Sequence, residues 1–303
     1  MNTFLTAIIP VFVVIAIGFG LRFYHFPGDA FWNLAARLTY VVFFPSLLIN
    51  RLAHAELGNI DVFTLALALT TPIMIVTVVL ISIKSYIPLT NPAYTSLYQG
   101  SIRFNTYIGL ACVAAVAPNK GVALAAIALA ILIPFINVLS ISFLTFYLAD
   151  QGVSIKRIIR SIVRNPLIIA CMIGIGLNLT GIGLPFITGD ILTILSDAAL
   201  PIGLLTVGAG LDLQSVKTST MPVVLATAIK LLVMPLLAIA MCSLLQLSGL
   251  VATVVILFCA LPGAPSAYIL AQELGGDTTL MASIVTVQTA LALLTMPLVA
   301  LFW

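Results

Sequence analysis

Charged residues are scarce in this chain. Of its 303 residues, 12 are Lys or Arg and 9 are Asp or Glu, which together make up 7% of the sequence. A typical soluble domain has about 25% charged residues, and a soluble fold of this length has too large a surface for so few charges. The scarcity excludes soluble enzymes, nucleic-acid-binding domains and disordered chains, so nucleic acid is not an expected partner.

Residues that usually build catalytic, metal or disulfide sites are also few. The four cysteines all lie inside apolar runs, at Cys112, Cys171, Cys242 and Cys259. No CxxC or Cys/His spacing occurs, so we interpret them as buried apolar side chains and expect no metal or cofactor. The motifs GxGD, HExxH and GxSxG are missing, and His25 and His54 have no acid at catalytic spacing. The chain is therefore not expected to be a membrane-embedded enzyme.

Apolar sequence, in contrast, is abundant: 62% of the residues are hydrophobic and the mean hydropathy is +1.26. Runs of about 20 apolar residues match the length of a transmembrane helix, whereas a membrane β-barrel has short alternating segments. Ten such helices are predicted, at roughly 4–24, 30–52, 61–83, 93–116, 120–148, 165–185, 190–211, 221–246, 249–272 and 278–302. The first is too long for a signal sequence and lacks a preceding basic region, so we expect it to stay in the membrane.

The longest connection, 149–164, is rich in basic residues. Its spacing of isoleucines fits either an amphipathic helix at an anionic membrane surface or a plain basic loop. Eight basic residues fall on the side of this linker, and two, Arg51 and Lys120, fall on the opposite side. The positive-inside rule places the linker in the cytoplasm and both termini on the other side, in a multi-pass protein of the cell inner (plasma) membrane.

An internal repeat is visible when the sequence is shifted by 156 residues. The shift places Pro10 on Pro166, Gly18 and Gly20 on Gly174 and Gly176, and Pro45 on Pro201. Because each half has five predicted helices, an odd number, the two halves have opposite orientations. The predicted fold is an all-α integral membrane protein with ten transmembrane helices in two inverted five-helix repeats, 1–148 and 165–303, joined by the cytoplasmic basic linker 149–164.

The fourth and ninth predicted helices contain residues that suit an unbroken membrane helix poorly. The segment QGSIRFNTYIG at 99–109 is rich in polar residues and glycine, and LPGAPSAY at 261–268 has two prolines and a glycine within four residues. Proline removes a backbone donor and glycine lowers helix stability. Two interrupted helices at corresponding places predict a substrate site near the middle of the membrane, where they cross.

The predicted substrate-binding residues lie at these interruptions. They are Arg103, Asn105, Thr106, Tyr107, Pro262, Gly263, Ala264, Pro265, Ser266 and Tyr268. The amino-terminal end of a half-helix has partial positive charge and suits an anion. The planar guanidinium of Arg103 suits a carboxylate, although a structural pair or an interfacial position is the alternative.

A second group of residues is predicted to line the cavity. It consists of Pro45, Asn50, Asn137, Pro201, Lys230 and Gln288. The two prolines are expected to kink or unwind their helices. Ordinary interhelical hydrogen bonds are the alternative use of the three amides, and charge balance or snorkelling is the alternative use of Lys230.

The chain resembles the auxin efflux carrier family, in its bacterial permease branch of malonate-type transporters. The resemblance covers the whole chain and rests on RFNTYIG at 103–109 and PGAPSAY at 262–268, supported by FFPSLLINRLA at 43–53. It implies a fold like that of bile-acid symporters and sodium/proton antiporters, in which the fourth and ninth helices cross. It further implies a scaffold of helices 1, 2, 6 and 7, a transport domain of helices 3–5 and 8–10, elevator-type transport and a homodimer formed through the scaffold.

The resemblance also implies the substrate class, because family members transport organic anions such as auxins or malonate-type dicarboxylates. Asn105 matches the family's asparagine at the first crossing, and Pro262, Gly263 and Pro265 match its second crossing. Unlike the plant members, this chain has RFNT without a proline at the first crossing and a short central linker. The arginine there favours small carboxylates over indole acids.

The leading hypothesis is therefore a secondary transporter of small organic anions that works in the lipid bilayer. The alternative is a symporter or antiporter of the same fold that is coupled to Na⁺ or H⁺. Neither predicted interruption contains Asp or Glu, which weakens the case for ion coupling without excluding it. A channel is less favoured, because the pattern indicates an enclosed site and not a charged pore.

Overall fold

The structure of the protein is a computed structural model, which describes residues 2–55, 61–118, 120–148, 159–160, 163–214 and 220–299. All regular structure in these segments is helical. The prediction of an all-α chain is therefore confirmed for this part of the protein. Most of the basic linker predicted at 149–164 lies outside the described residues.

Seven α-helices lie in the described part of the first half. They are α1 (Asn2–Phe23), α2 (Asp29–Leu38), α3 (Phe44–Ala53), α4 (Val62–Ile83), α5 (Asn91–Ile102), α6 (Thr106–Val116) and α7 (Lys120–Leu148). A π-helical turn, Thr39–Phe43, joins α2 to α3, so 29–53 is helical throughout. The short gap between α5 and α6 lies inside the fourth predicted helix.

Seven α-helices also lie in the described part of the second half. They are α8 (Pro166–Leu179), α9 (Thr188–Ala209), α10 (Thr220–Ala228), α11 (Met234–Leu244), α12 (Gly249–Ala260), α13 (Ser266–Leu274) and α14 (Thr278–Val299). A π-helical turn, Ile229–Val233, joins α10 to α11. The predicted end of the sixth helix at residue 185 is wrong. Helix α8 ends at Leu179, and the positive φ angles of Gly181 (69°) and Gly183 (63°) are incompatible with continuing a right-handed helix.

Seven helical segments in the described residues are long and apolar enough to cross a membrane. They are Thr6–Phe23, Asp29–Ala53, Val62–Tyr86, Lys120–Leu148, Thr188–Ala209, Met221–Leu244 and Thr278–Val299. The three other segments predicted as spans consist of shorter helices: α5 with α6, α8 alone, and α12 with α13. Length and composition thus support a multi-pass membrane protein.

The helices pack as two groups. In the first, α1 lies along α9, and α3 lies along both α8 and α9. In the second, α4 to α7 and α10 to α14 pack on one another, and α6 and α7 make most of the contacts with the first group. Within the second group, α5 is buried on all sides from Tyr94 to Ile102, which explains why its sequence shows no amphipathic pattern.

Glycines allow the closest approaches in the first group. A Cβ atom on Gly18 of α1 would lie 2.1 Å from the backbone oxygen of Leu205 in α9. On the other side of the group, a Cβ atom on Gly174 of α8 would lie 3.2 Å from the backbone of Ile49 in α3. Small residues of this kind let membrane helices approach until their backbones touch.

The two prolines that were expected to distort helices behave differently. Pro45 comes two residues after the π-helical turn Thr39–Phe43, in which the N–H of Phe44 donates to the carbonyl of Thr39. Pro201 lies inside α9, which continues through it as one helix, so of the expected kink or unwinding only the unwinding is wrong. The four cysteines are buried and unpaired, as predicted.

Candidate functional site

The site begins where the chain leaves helical geometry between α5 and α6. Arg103 follows α5 in an extended conformation (φ −75°, ψ 150°), and Asn105 is extended as well (φ −82°, ψ 104°). The side-chain oxygen of Asn105 accepts hydrogen bonds from the backbone N–H groups of Tyr107 at 3.0 Å and Ile108 at 3.2 Å. Asparagine is a preferred N-cap residue because it satisfies donors that have no partner inside the helix, and α6 therefore starts here.

A second departure from helical geometry separates α12 from α13. Leu261 is extended (φ −63°, ψ 145°), and α13 starts at Ser266 directly after Pro265. Pro262 cannot donate the hydrogen bond that would continue α12, and its ring would clash with the helical carbonyl one turn earlier. The local sequence thus ends one helix and starts another over a few residues.

The two non-helical segments are hydrogen-bonded to each other. The backbone N–H of Asn105 donates to the carbonyl of Pro262 at 2.8 Å. Gln288 of α14 joins the same region, because its side-chain oxygen accepts from the N–H of Gly263 at 2.8 Å and its nitrogen donates to the carbonyl of Gly100 at 2.9 Å. A Cβ atom on Gly263 would lie 2.7 Å from that Gln288 oxygen, so a larger residue here would displace the Gln288 amide.

Arg103 is the buried charge of this region, and it is 9% exposed. Its Nη2 atom donates to the Asn137 side-chain oxygen and to the Ser266 hydroxyl, each at 3.3 Å. Its Nη1 atom is buried and has no hydrogen-bond partner in the described part of the chain. The guanidinium therefore has a donor group that is free to bind a ligand.

A cavity of about 90 Å³ lies beside this guanidinium. Its lining comes from both helix groups: the π-helical turn between α2 and α3 and the start of α8 on one side, and residues of the second group on the other. The lining residues are Tyr40, Arg103, Phe104, Thr106, Ile133, Ile136, Asn137, Asn165, Leu167 and Ser266. Since about 10–15 Å³ is enough to hold one water, the cavity has room for more than one.

Three helices begin at the cavity. Thr106 is the first residue of α6, Ser266 is the first residue of α13, and Asn165 is the N-cap of α8. The side-chain oxygen of Asn165 accepts from the N–H of Leu167 at 2.9 Å. Each helix start has partial positive charge, so these three helices and Arg103 together give the cavity a positive potential.

Three of the ten predicted substrate-binding residues line the cavity, namely Arg103, Thr106 and Ser266. Asn105, Pro262 and Gly263 do not line it, but they form the hydrogen-bonded backbone behind it. They support the cavity in this arrangement, and the substrate contacts predicted for them stay predictions.

The other four predicted binding residues lie around the cavity. The ring of Tyr107 packs against Phe44 of α3, with 4.4 Å between the ring centroids. Pro265 precedes α13, and Ala264 is buried next to it. Tyr268 lies on α13 with 39% of its surface exposed.

The structure places the residues predicted to line the cavity in different surroundings. Asn137 of α7 is part of the lining, whereas Gln288 joins the two non-helical segments. Asn50 donates to the Thr193 hydroxyl at 3.0 Å, which is the interhelical bond that was the alternative. Pro45 and Pro201 are not among the lining residues, and Pro201 is exposed.

Lys230 also lies apart from the cavity lining. It belongs to the π-helical turn Ile229–Val233, is 1% exposed and donates to the carbonyl of Cys259 at 3.3 Å. Snorkelling to the membrane surface is therefore wrong for this side chain.

Sequence reasoning missed two polar lining residues, Tyr40 and Asn165. Both line the same cavity as Arg103. Asn165 had a readable signal, because an asparagine directly before a proline is typical of a helix start. Tyr40 had none, since it stands in an apolar run and reaches the cavity only through the packing of α3 against α8.

Two comparisons with known proteins each match about half of the chain. Residues 151–300 match the model of a family described as membrane transport protein. This half resembles membrane transporters. A protein of Methanothermobacter thermautotrophicus, described as an uncharacterized transporter, is 32% identical over 143 residues. That match covers 47% of this chain and 47% of the relative, so the chain matches about half of the relative's length.

Proposed function

We propose that the protein is a secondary transporter of small organic anions and that the anion binds to Arg103. The proposal rests on one observation: a buried guanidinium with an unpartnered Nη1 atom borders a cavity at which three helices begin. The similarity to membrane transport proteins supports the transporter class.

The energetics favour an anionic ligand. An arginine at the centre of a membrane helix costs at least about 2.5–3.5 kcal/mol, and no carboxylate pairs with Arg103 in the described residues. A carboxylate in the cavity offsets this cost, because it accepts a charge-assisted hydrogen bond from the unpartnered Nη1 atom. Ser266 and Thr106 add hydroxyl donors at the same cavity.

The size and lining of the cavity favour small carboxylates. A volume of about 90 Å³ suits an acid with few heavy atoms better than a bicyclic indole acid. Ile133, Ile136 and Leu167 supply an apolar wall for the carbon chain of the substrate. We therefore place malonate-sized acids ahead of auxin-like acids.

The finer architecture of the proposal is two inverted repeats, each of which contributes helices to a scaffold and to a transport domain. Gly18 and Gly174, which the 156-residue shift superposes, are each on the first helix of one half and contact the second helix of the other half. This reciprocal contact is what an inverted repeat predicts. In this architecture α5–α6 and α12–α13 are the crossing fourth and ninth spans.

The two helix groups correspond to the two bodies of an elevator-type mechanism. The scaffold consists of α1, α2–α3, α8 and α9, and the transport domain consists of the other helices. The cavity lies where the groups meet, so movement of Arg103 past Tyr40 and Asn165 would carry the anion across. The scaffold also forms the homodimer, in a bacterial inner membrane with both termini on the non-cytoplasmic side.

Counterflow in liposomes tests this function. Purified protein is reconstituted without sodium and at equal pH on both sides, and exchange of radiolabelled malonate is compared with that of an indole acid. We expect saturable exchange of the small carboxylate. Arg103→Ala should weaken anion binding by about 2–5 kcal/mol, which is about 30-fold to more than a thousandfold. Arg103→Lys should lose less, because it keeps the charge without the planar fork.

Arg37→Ala is the matched control, because Arg37 is an exposed arginine outside the cavity. It should exchange anions like the wild type. Unchanged kinetics in Arg103→Ala would refute binding at Arg103. Exchange that appears only with Na⁺ or a pH gradient would favour the ion-coupled transporter instead.

A further inference from the structure

Lys230 is a buried cation that the proposed anion site does not use. Its side chain is 1% exposed, and its ammonium donates to the backbone carbonyl of Cys259 at 3.3 Å. Arg103 and Lys230 are the two charged side chains that are buried in the described part of the protein. Both are positive, so no buried carboxylate there balances Lys230.

The partner of Lys230 lies at the carboxyl end of a half-helix. Cys259 is in the last turn of α12, where the chain leaves helical geometry before Pro262. The last four carbonyls of a helix have no partner inside it, and together they have about half a negative charge. The end of this helix therefore supplies the negative potential for the ammonium, in place of an acid.

The corresponding end of α5 is satisfied by neutral groups. There the backbone N–H of Arg103 donates to the Gln99 carbonyl at 2.9 Å, and Gln288 donates to the Gly100 carbonyl at 2.9 Å. The two interrupted helices thus end differently: α5 with two amides and α12 with a charged amine. In secondary transporters with broken helices, such half-helix ends commonly bind the coupling cation.

We propose that the Lys230 ammonium occupies the position of a bound cation at the carboxyl end of α12. A cation from solution is therefore not needed at this position. It follows that replacing Lys230 by a residue without the amine allows Na⁺ or K⁺ to bind at this position. The inference concerns a cation site and not the anion site. It rests on the proposed function in one consequence only, namely that anion exchange by the wild type needs no sodium.

Thermal unfolding in different salts tests this directly. Wild type, Lys230→Ala and Lys230→Gln are purified in detergent, and the unfolding midpoint is compared in NaCl, KCl and choline chloride at equal ionic strength. We expect no difference among the salts for the wild type. For the variants we expect a midpoint about 3 to 6 °C higher in NaCl or KCl than in choline, at a concentration tenfold to a hundredfold above the Kd.

Two controls separate this effect from a general effect of lost charge. Lys230→Arg keeps a cation and should not respond to the salt. Lys84→Ala removes another lysine whose ammonium donates to a backbone carbonyl, that of Leu89 at 3.0 Å, but which does not lie at a half-helix end. It should respond to neither sodium nor potassium.

Poor folding of the alanine variant does not end the test. Crude membranes with each variant are solubilised in the three salts, and the monodisperse fraction is measured by fluorescence-detected gel filtration. Recovery in NaCl or KCl, but not in choline, for either neutral variant supports the proposal. The proposal is overturned by any of three results: both variants behave equally in all salts, no folded protein is recovered in any salt, or the cations stabilise the wild type equally. All these readouts are independent of anion transport.

Discussion

Replacing Gln288 should destabilise the protein strongly, because this amide joins three separate chain segments. It accepts from the N–H of Gly263 at 2.8 Å and donates to the carbonyls of Gly100 at 2.9 Å and Ala226 at 3.2 Å. The side chain is completely buried. Gln288→Leu keeps a similar volume and removes all three hydrogen bonds at once.

The expected loss follows from the groups that stay behind without a partner. A buried backbone donor or acceptor without a hydrogen bond costs about 1–3 kcal/mol. Gly263 lies outside the helices and Gly100 lies in the last turn of α5, so neither has a helical partner, whereas Ala226 is followed by further helical turns. Two unsatisfied groups predict a loss of about 2–6 kcal/mol, or about 4–12 °C in the unfolding midpoint.

The assay compares unfolding midpoints in detergent for the wild type, Gln288→Leu and Thr289→Val. Thr289 is the matched control, because it is also buried in α14 but donates only to the Val285 carbonyl of its own helix, at 2.8 Å. Its change to valine should cost less than about 1 kcal/mol. Equal midpoints for the two variants would refute the reasoning and would mean that the two non-helical segments hold together without Gln288.

Two further predictions concern the α6 cap and the contact between α1 and α9. Asn105→Ala should cost about 0.5–2 kcal/mol of stability and impair counterflow, because the N–H groups of Tyr107 and Ile108 lose their acceptor. Asn105→Ser keeps an acceptor and should restore the midpoint, and equal midpoints for the two variants would contradict the capping role. Gly208→Ala should cost about 3 kcal/mol or more, because its Cβ would lie 1.8 Å from the backbone oxygen of Ile15, which cannot move aside as a side chain does. Gly20→Ala has no atom within 4 Å and should be neutral, so matching midpoints for these two alanine variants would show that α1 and α9 are farther apart.

The sequence alone was sufficient where local chemistry decides the outcome. Its hydropathy and scarcity of charge determined an all-helical membrane protein, because apolar runs of this length have few other stable forms. Asn105 and the proline-rich segment at 262–265 located the two departures from helical geometry, since N-capping and the missing proline donor act within one turn of chain. Arg103 stood out because its charge is costly in such surroundings.

Tertiary structure decided everything that depends on partners far away in the chain. Tyr40 and Asn165 reach the cavity through the packing of α3 with α8, and Lys230 meets Cys259 only because α12 lies beside the π-helical turn. A helix that is buried on all sides, such as α5, has no amphipathic pattern that reveals which side faces which neighbour. The local sequence therefore determines which residues leave helical geometry. The packing of helices from both halves determines which groups contact those residues.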